Sequence, residues 1–141
     1  MDRIPKQVLD VLATVPLFSS CNKAELRKIA RLGAELEFPA ETVLTQQGEP
    51  GFEFCLLVGG SARCLVDEKL VATLPTGDFF GEMSLLDRGP RHATVIADEP
   101  VRLIVLDARE FSSLLDTSPT IAKKLLKSFA VRVRANASVR D

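Results

Sequence analysis

Gly81-Glu82 and Pro90-Arg91 are the residues whose types and spacing could do chemistry: a carboxylate directly after a glycine, and a guanidinium nine positions further on. A glycine lets the backbone come close to a ligand, and the N–H groups at the start of a helical turn can cradle a phosphate. Arginine presents a planar fork of donors that matches phosphate oxygens, so Arg91 would supply the charge. An ionised carboxylate only accepts, which suits Glu82 to a sugar hydroxyl. Together these parts match a cyclic nucleotide, whose ring phosphate carries one negative charge and whose ribose keeps only its 2′-hydroxyl as a donor. A Gly-Glu pair alone would be an ordinary turn, and an arginine alone a surface charge. What carries weight is their arrival together, with Pro90 fixing its φ near about −65° ahead of Arg91 and Ala93-Thr94-Val95 following at once.

The stretch Phe79-Phe80-Gly81-Glu82-Met83-Ser84-Leu85-Leu86, followed by Pro90-Arg91-His92-Ala93-Thr94-Val95, resembles the phosphate-binding cassette of the cyclic nucleotide-binding domain family. This is the sensor domain of catabolite activators, protein kinase A regulatory subunits and cyclic nucleotide-gated channels. Gly48, Gly60 and Gly77 fall at the family's usual places, and the resemblance runs from about Leu17 to about Val133. It implies a ligand-binding set of Phe80, Gly81, Glu82, Met83, Ser84, Arg91, His92 and Ala93. In that set Glu82 accepts from the ribose 2′-hydroxyl and Arg91 pairs with the equatorial phosphate oxygen. Backbone N–H groups near Gly81, Met83 and Ala93 complete the anion site. Leu85 and Leu86 read as the anchor of the cassette in the core. Family members close the last helix over the base, which makes Phe129, Arg132 and Val133 the candidate lid; core packing is the other reading of Phe129. His92 stands where the family more often has Ala, Ser or Thr, and a Ser or Thr there helps retain a guanine. Histidine therefore leans the expected ligand to cyclic AMP over cyclic GMP, its ring either touching phosphate or base or pointing to solvent at the pocket mouth.

At 141 residues and 46% hydrophobic content the chain is long enough for one compact domain with a sizeable core and too short for two. Its 18 basic and 19 acidic residues give a net charge of −1, so no global field draws it to nucleic acid or an anionic membrane. Neither a signal pattern nor an apolar run of about 20 residues is found, and a soluble, cytoplasmic protein is expected. Cys21, Cys55 and Cys64 lack the pairing of zinc or redox motifs. They read as free thiols packed in the core, redox sensing being the minor alternative. His92, the one histidine, has no second histidine or cysteine close by, which argues against a metal site.

The elements that must position the cassette follow from periodicity. Val8, Leu9, Leu12 and Val15 have helical spacing before Pro16, and Asn22 with Glu25 forms a capping box for a second helix to about Leu32, ended by Gly33. From residue 34 to 106 the chain breaks into short β-rich segments, the signature of an antiparallel, jelly-roll-like β-roll. Strands are expected at Thr42–Gln46, Glu53–Val58, Ser61–Val66, Leu70–Thr73, His92–Ala97 and Val101–Leu106, with Asp67-Glu68-Lys69 a tight polar turn. Residues 107–136 turn helical again: Phe111, Leu114 and Leu115 suit a short helix, and Pro119, capped by Ser118, opens a last helix frayed from Arg132 onward. The fold class is thus α+β, mainly β, in one domain over residues 1–141.

The function this implies is a non-catalytic sensor. Ligand pulls the cassette inward, the last two helices shift, and a partner or attached effector domain reads the movement. No nucleophile–base pair, second carboxylate beside Glu82 or metal cluster supports an enzyme, and no cofactor beyond the ligand is expected. Binding of nucleic acid would need a helix-turn-helix that this sequence lacks. The apolar face of the last helix offers a surface for a homodimer. The alternative is a degenerate fold that has lost the ligand and serves as a protein-interaction domain.

Overall fold

The computed structural model describes residues 4–85 and 89–140, with the side chains of Met83, Ser84, Arg132, Val133 and 135–140 outside that description. Leu86, expected as a second core anchor, also lies outside it.

Helix α1 (Lys6–Thr14) and a 3-10 turn (Pro16–Phe18) lead into α2 (Lys23–Leu32). At the start of α2 both halves of the expected capping box are made: the Asn22 side chain accepts from the Glu25 N–H at 2.9 Å, and Glu25 Oε1 accepts from the Asn22 N–H at 2.9 Å.

Among the described residues eight antiparallel strands follow: β1 (Ala34–Phe38), β2 (Val43–Thr45), β3 (Glu53–Gly59), β4 (Ala62–Val66), β5 (Lys69–Leu74), β6 (Phe79–Phe80), β7 (Thr94–Ala97) and β8 (Val101–Asp107). They form two sheets of four, ordered β1-β8-β3-β6 and β2-β7-β4-β5. The six expected strands are all present. Two more, β1 and β6, carry no clear signal. Alternating glutamates and exposed positions along β1 mark it as an edge strand, and β6 is only two residues long. The expected polar turn joins β4 to β5 with Asp67 and Glu68 both at positive φ, 52° and 66°, the twist a two-residue hairpin requires. Gln47 clamps it, donating from Nε2 to Asp67 Oδ1 at 2.9 Å and accepting the Asp67 N–H at 2.8 Å.

Among the described residues, two apolar clusters hold the fold. Because β3 is covered on both faces, its apolar run is continuous rather than alternating. Cys55 and Leu57 point between the sheets, where they meet Ala97, Val101, Leu103 and Val105. Phe54 and Leu56 point to the helices and join Leu12, Phe18, Ile29, Phe111, Leu114, Ile121 and Leu125. Phe18 meets Phe54 edge to face, with ring centroids 5.9 Å apart.

After β8, Asp107 caps α3 (Ala108–Thr117) by accepting the Glu110 N–H at 2.8 Å. Helix α4 (Pro119–Arg140) is longer than expected: the segment from Arg132, read as frayed, is helical through Arg140. That stretch is rich in Ala and Arg and contains neither Gly nor Pro, so nothing in it breaks the helix. The Ser118 carbonyl accepts the Ala122 N–H at 3.0 Å, while its hydroxyl accepts from Lys28 Nζ at 3.3 Å and ties α2 to the start of α4.

Candidate functional site

Two irregular segments break the sheets on one side and meet there. The first is the 3-10 turn Glu82–Leu85 directly after β6. The second is the approach to β7 from Gly89 to Ala93, which pairs with the loop after β2. The Arg91 N–H donates to the Glu49 carbonyl at 2.8 Å, the Gly48 N–H donates to the Arg91 carbonyl at 2.9 Å, and Pro50 bridges Pro90. Thr45 Oγ1 donates to the Ala93 carbonyl at 3.1 Å, and Thr94 Oγ1 accepts the Gln47 N–H at 3.0 Å. The backbone carrying Arg91 is therefore fixed by the strand–loop–strand unit beside it.

Between these segments lies a cavity of about 340 Å³, within the size range of small-ligand sites. Of the expected ligand set, Phe80, Gly81, Glu82, Arg91, His92 and Ala93 line it together. Met83 and Ser84 sit in the 3-10 turn with side chains outside the description. Gly81 takes φ +82°, a conformation glycine adopts at no steric cost. A Cβ there would come within 2.5 Å of the Glu53 carbonyl oxygen and 2.6 Å of Arg91 Nη1, so Gly81 is needed for space as well as for conformation. Arg91 Nη2 donates to the Glu53 carbonyl at 2.9 Å. Glu82 is 9% exposed and lines the cavity. An ionised carboxylate accepts hydrogen bonds, and a ligand hydroxyl is a chemically suitable donor to it. His92 is exposed at the cavity.

Sequence reasoning missed part of the wall. Thr45, Leu74 and Val95 line the same cavity, and so does Cys64. Of the three thiols expected in the core, Cys55 is buried and Cys21, half-buried, packs against the helical apolar cluster, whereas Cys64, also half-buried, belongs to the cavity wall. Cys64 faces the cavity from β4 opposite Val95, and its thiol is pushed up by desolvation. Cys55 is fully within the roll, and burial pushes its thiol up to about 12. The seat of Arg91, formed by Gly51 and Glu53, was not legible either, because it acts through a missing side chain and a backbone carbonyl. Of the candidate lid residues, Phe129 packs against the helical apolar cluster, and the side chains of Arg132 and Val133 lie outside the described residues. Among the described residues, no group of three His, Cys, Asp or Glu side chains could hold a metal ion, and no helix is long and apolar enough to cross a membrane.

Residues 35–118 match the cyclic nucleotide-binding domain. That is more than half of the chain, and the chain belongs to this family. It is 38% identical, over 74% of its length and 22% of the relative's, to a cAMP-dependent protein kinase regulatory subunit of Hypocrea atroviridis. It is 37% identical, over 91% of its length and 36% of the relative's, to a cyclic nucleotide-gated potassium channel of Mesorhizobium japonicum. The chain thus spans about a fifth to a third of these curated relatives. Among solved structures, the N-terminal domain of a transcriptional regulator from Streptomyces coelicolor superposes with a TM-score of 0.85 at 27% identity, covering 92% of this chain and 94% of that one.

Proposed function

We propose that this chain is a non-catalytic sensor unit that binds a cyclic nucleotide, cyclic AMP in preference to cyclic GMP, and relays its presence through α3 and α4. The observation that carries this is the meeting of Glu82 and Arg91 with Gly81 on one cavity of small-ligand size. The nucleotide would set its phosphate against Arg91 and the turn after Gly81, and its 2′-hydroxyl against Glu82. The preference for adenine rests on His92, which offers no Ser or Thr hydroxyl at that position, and on the likeness to a cAMP-dependent regulatory subunit.

The relay rests on Leu85. This residue of the cassette turn is buried in the same apolar cluster as Phe111 and Leu114 of α3 and Ile121 and Leu125 of α4, and its turn packs on β3 and α3, so a cassette that moves inward would disturb the packing of α3 and, through it, α4. Residues 1–141 would act as one cytoplasmic unit regulating an attached or separate effector. Pairing of two copies along α4, where Leu126 and Val131 are exposed, belongs to the same proposal.

Calorimetric titration of cyclic AMP and cyclic GMP into protein unfolded and refolded to strip carried nucleotide tests the reading, with Arg91→Ala as control. Heat with the wild type, stronger for cyclic AMP and lost in the variant, is the expected outcome. A folded wild type that gives no heat with either nucleotide would replace the sensor by a protein-interaction domain that has lost its ligand.

A further inference from the structure

Gly51 precedes β3 and is buried, yet its φ lies outside the left-handed region occupied by Gly48, Gly60, Gly77 and Gly81. Backbone conformation therefore does not require a glycine there. Space does. The three atoms nearest to an added Cβ all belong to Arg91, namely Nε, Cζ and Cδ, and all fall well inside van der Waals contact. The stem of the guanidinium thus lies on Gly51, its Nη1 lies against Gly81, and its Nη2 donates to the Glu53 carbonyl.

We infer that Gly51 is a positioning residue for nucleotide binding: its bare Cα forms the floor of a seat that holds the Arg91 guanidinium in place before the phosphate arrives. This deepens the proposed function and rests on Arg91 being the phosphate ligand. Holding a long side chain in its binding geometry beforehand saves the ordering cost that association otherwise carries. The obstacle a methyl at 51 would meet is the far end of a flexible side chain, not backbone. Arg91 can therefore swing aside at little cost to the fold, but it then leaves the Glu53 carbonyl and the place where a phosphate would sit. Gly81 differs in this respect, because a Cβ there meets the Glu53 main chain and would sit at φ +82°, so its substitution strains the fold itself.

The test is Gly51→Ala, with cyclic AMP affinity by calorimetry and stability by urea unfolding, beside wild type, Arg91→Ala and the double variant. Gly51→Ala is expected to unfold at nearly the wild-type midpoint and to bind at least about tenfold more weakly, equivalent to about 1.4 kcal/mol. In the Arg91→Ala background, where the guanidinium is gone, the added methyl should leave the midpoint unchanged even if Gly51→Ala alone fails to fold. Wild-type affinity in a folded Gly51→Ala would overturn the inference, and so would a methyl that destabilises the Arg91→Ala background. Wild-type affinity in Arg91→Ala would instead remove the reading beneath it.

Discussion

Thr94 accepts the main-chain N–H of Gln47 through its hydroxyl oxygen at 3.0 Å and the side-chain Nε2 of Gln46 at 3.3 Å, so the strand leaving the cassette is tied to the loop facing it. Thr94→Val keeps the shape and removes the acceptor, leaving a half-buried N–H to find water. A loss of about 1 to 2 kcal/mol in unfolding free energy is expected, with Thr94→Ser recovering most of it. Urea unfolding of the three proteins measures this, and a Val variant as stable as wild type would show the tie to be idle.

The two charged residues of the cavity should differ in how much they matter. Losing Arg91 leaves a bound phosphate without its counter-charge and should cost about 2 to 5 kcal/mol, roughly 30-fold to several-thousand-fold in affinity. Losing Glu82 leaves only a neutral hydroxyl unmatched, about 1 to 3 kcal/mol. The 2′-deoxy nucleotide separates the roles. It should bind wild type more weakly but Glu82→Ala no worse than the parent nucleotide does, while Arg91→Ala should weaken both ligands alike. An effect of Glu82→Ala that is the same for both ligands would remove the hydroxyl assignment.

Much of this was legible in the residues, and what escaped has physical reasons. Gly81, Glu82 and Arg91 are conspicuous because ligand chemistry needs those side chains at fixed spacing, and the capping box at Asn22 because it is a local hydrogen-bond exchange. The strand β3 is legible as an apolar run. By contrast β1 hides its pairing behind Glu35 and Glu37, which suit an exposed edge. Cys64 has the composition of a core residue and becomes a cavity wall only through the register that sets it opposite Val95. Gly51 carries no side-chain signal at all, and its part follows from where a side chain more than 30 positions away comes to rest.

Leu85 gives the proposed relay a handle. It is 7% exposed and shares the apolar cluster that holds α3 and α4, with its turn packed on α3. Truncation to alanine should cost about 2 to 4 kcal/mol of stability, as for other buried leucines. In wild type, saturating cyclic AMP should change hydrogen exchange over residues 119–133, and in folded Leu85→Ala that change should shrink although the nucleotide still binds. Equal exchange changes in both proteins would place the transmission elsewhere.

Glu25 ties α2 to α4. Its Oε1 accepts from Lys124 Nζ at 2.7 Å, with side-chain exposures of 12% for Glu25 and 32% for Lys124. Its carboxyl lies below its ordinary value, chiefly through the Lys124 bond and then through the Asn22 N–H. A lowered carboxyl contributes stability that is present above its unfolded value, about 4.3, and lost as the pH falls through the folded value. Lys124→Met should therefore be less stable than wild type at pH 7, by about 1 kcal/mol for a pair that water still reaches on its Lys124 side. The difference should vanish as the pH falls well below about 4. Stability curves that stay parallel into acid would assign the loss to packing instead.

Cys55 sets the opposite limit. Burial between the sheets, then the negative charge of Glu53, push its thiol up to about 12, with Arg91 pulling the other way. A raised thiol favours the folded state while it is protonated. Its contribution is thus whole below the unfolded value, about 8.5, and is lost as the pH rises towards the folded value. Within that window stability should fall by up to about 1.4 kcal/mol per pH unit for this one group. The chain has no tyrosine to obscure the trend. Cys21 and Cys64 are also pushed up by desolvation, so Cys55→Ala should flatten the slope between pH 8.5 and 10 without abolishing it, at some cost to stability at pH 7 for the lost packing. Urea unfolding across that range measures both effects, and a variant with the wild-type slope would mean that ionising Cys55 does not oppose folding. A thiol reagent should agree with the unfolding data: at pH 8 Cys64 should react in the folded protein and be slowed by cyclic AMP, while Cys55 should react only once the chain unfolds.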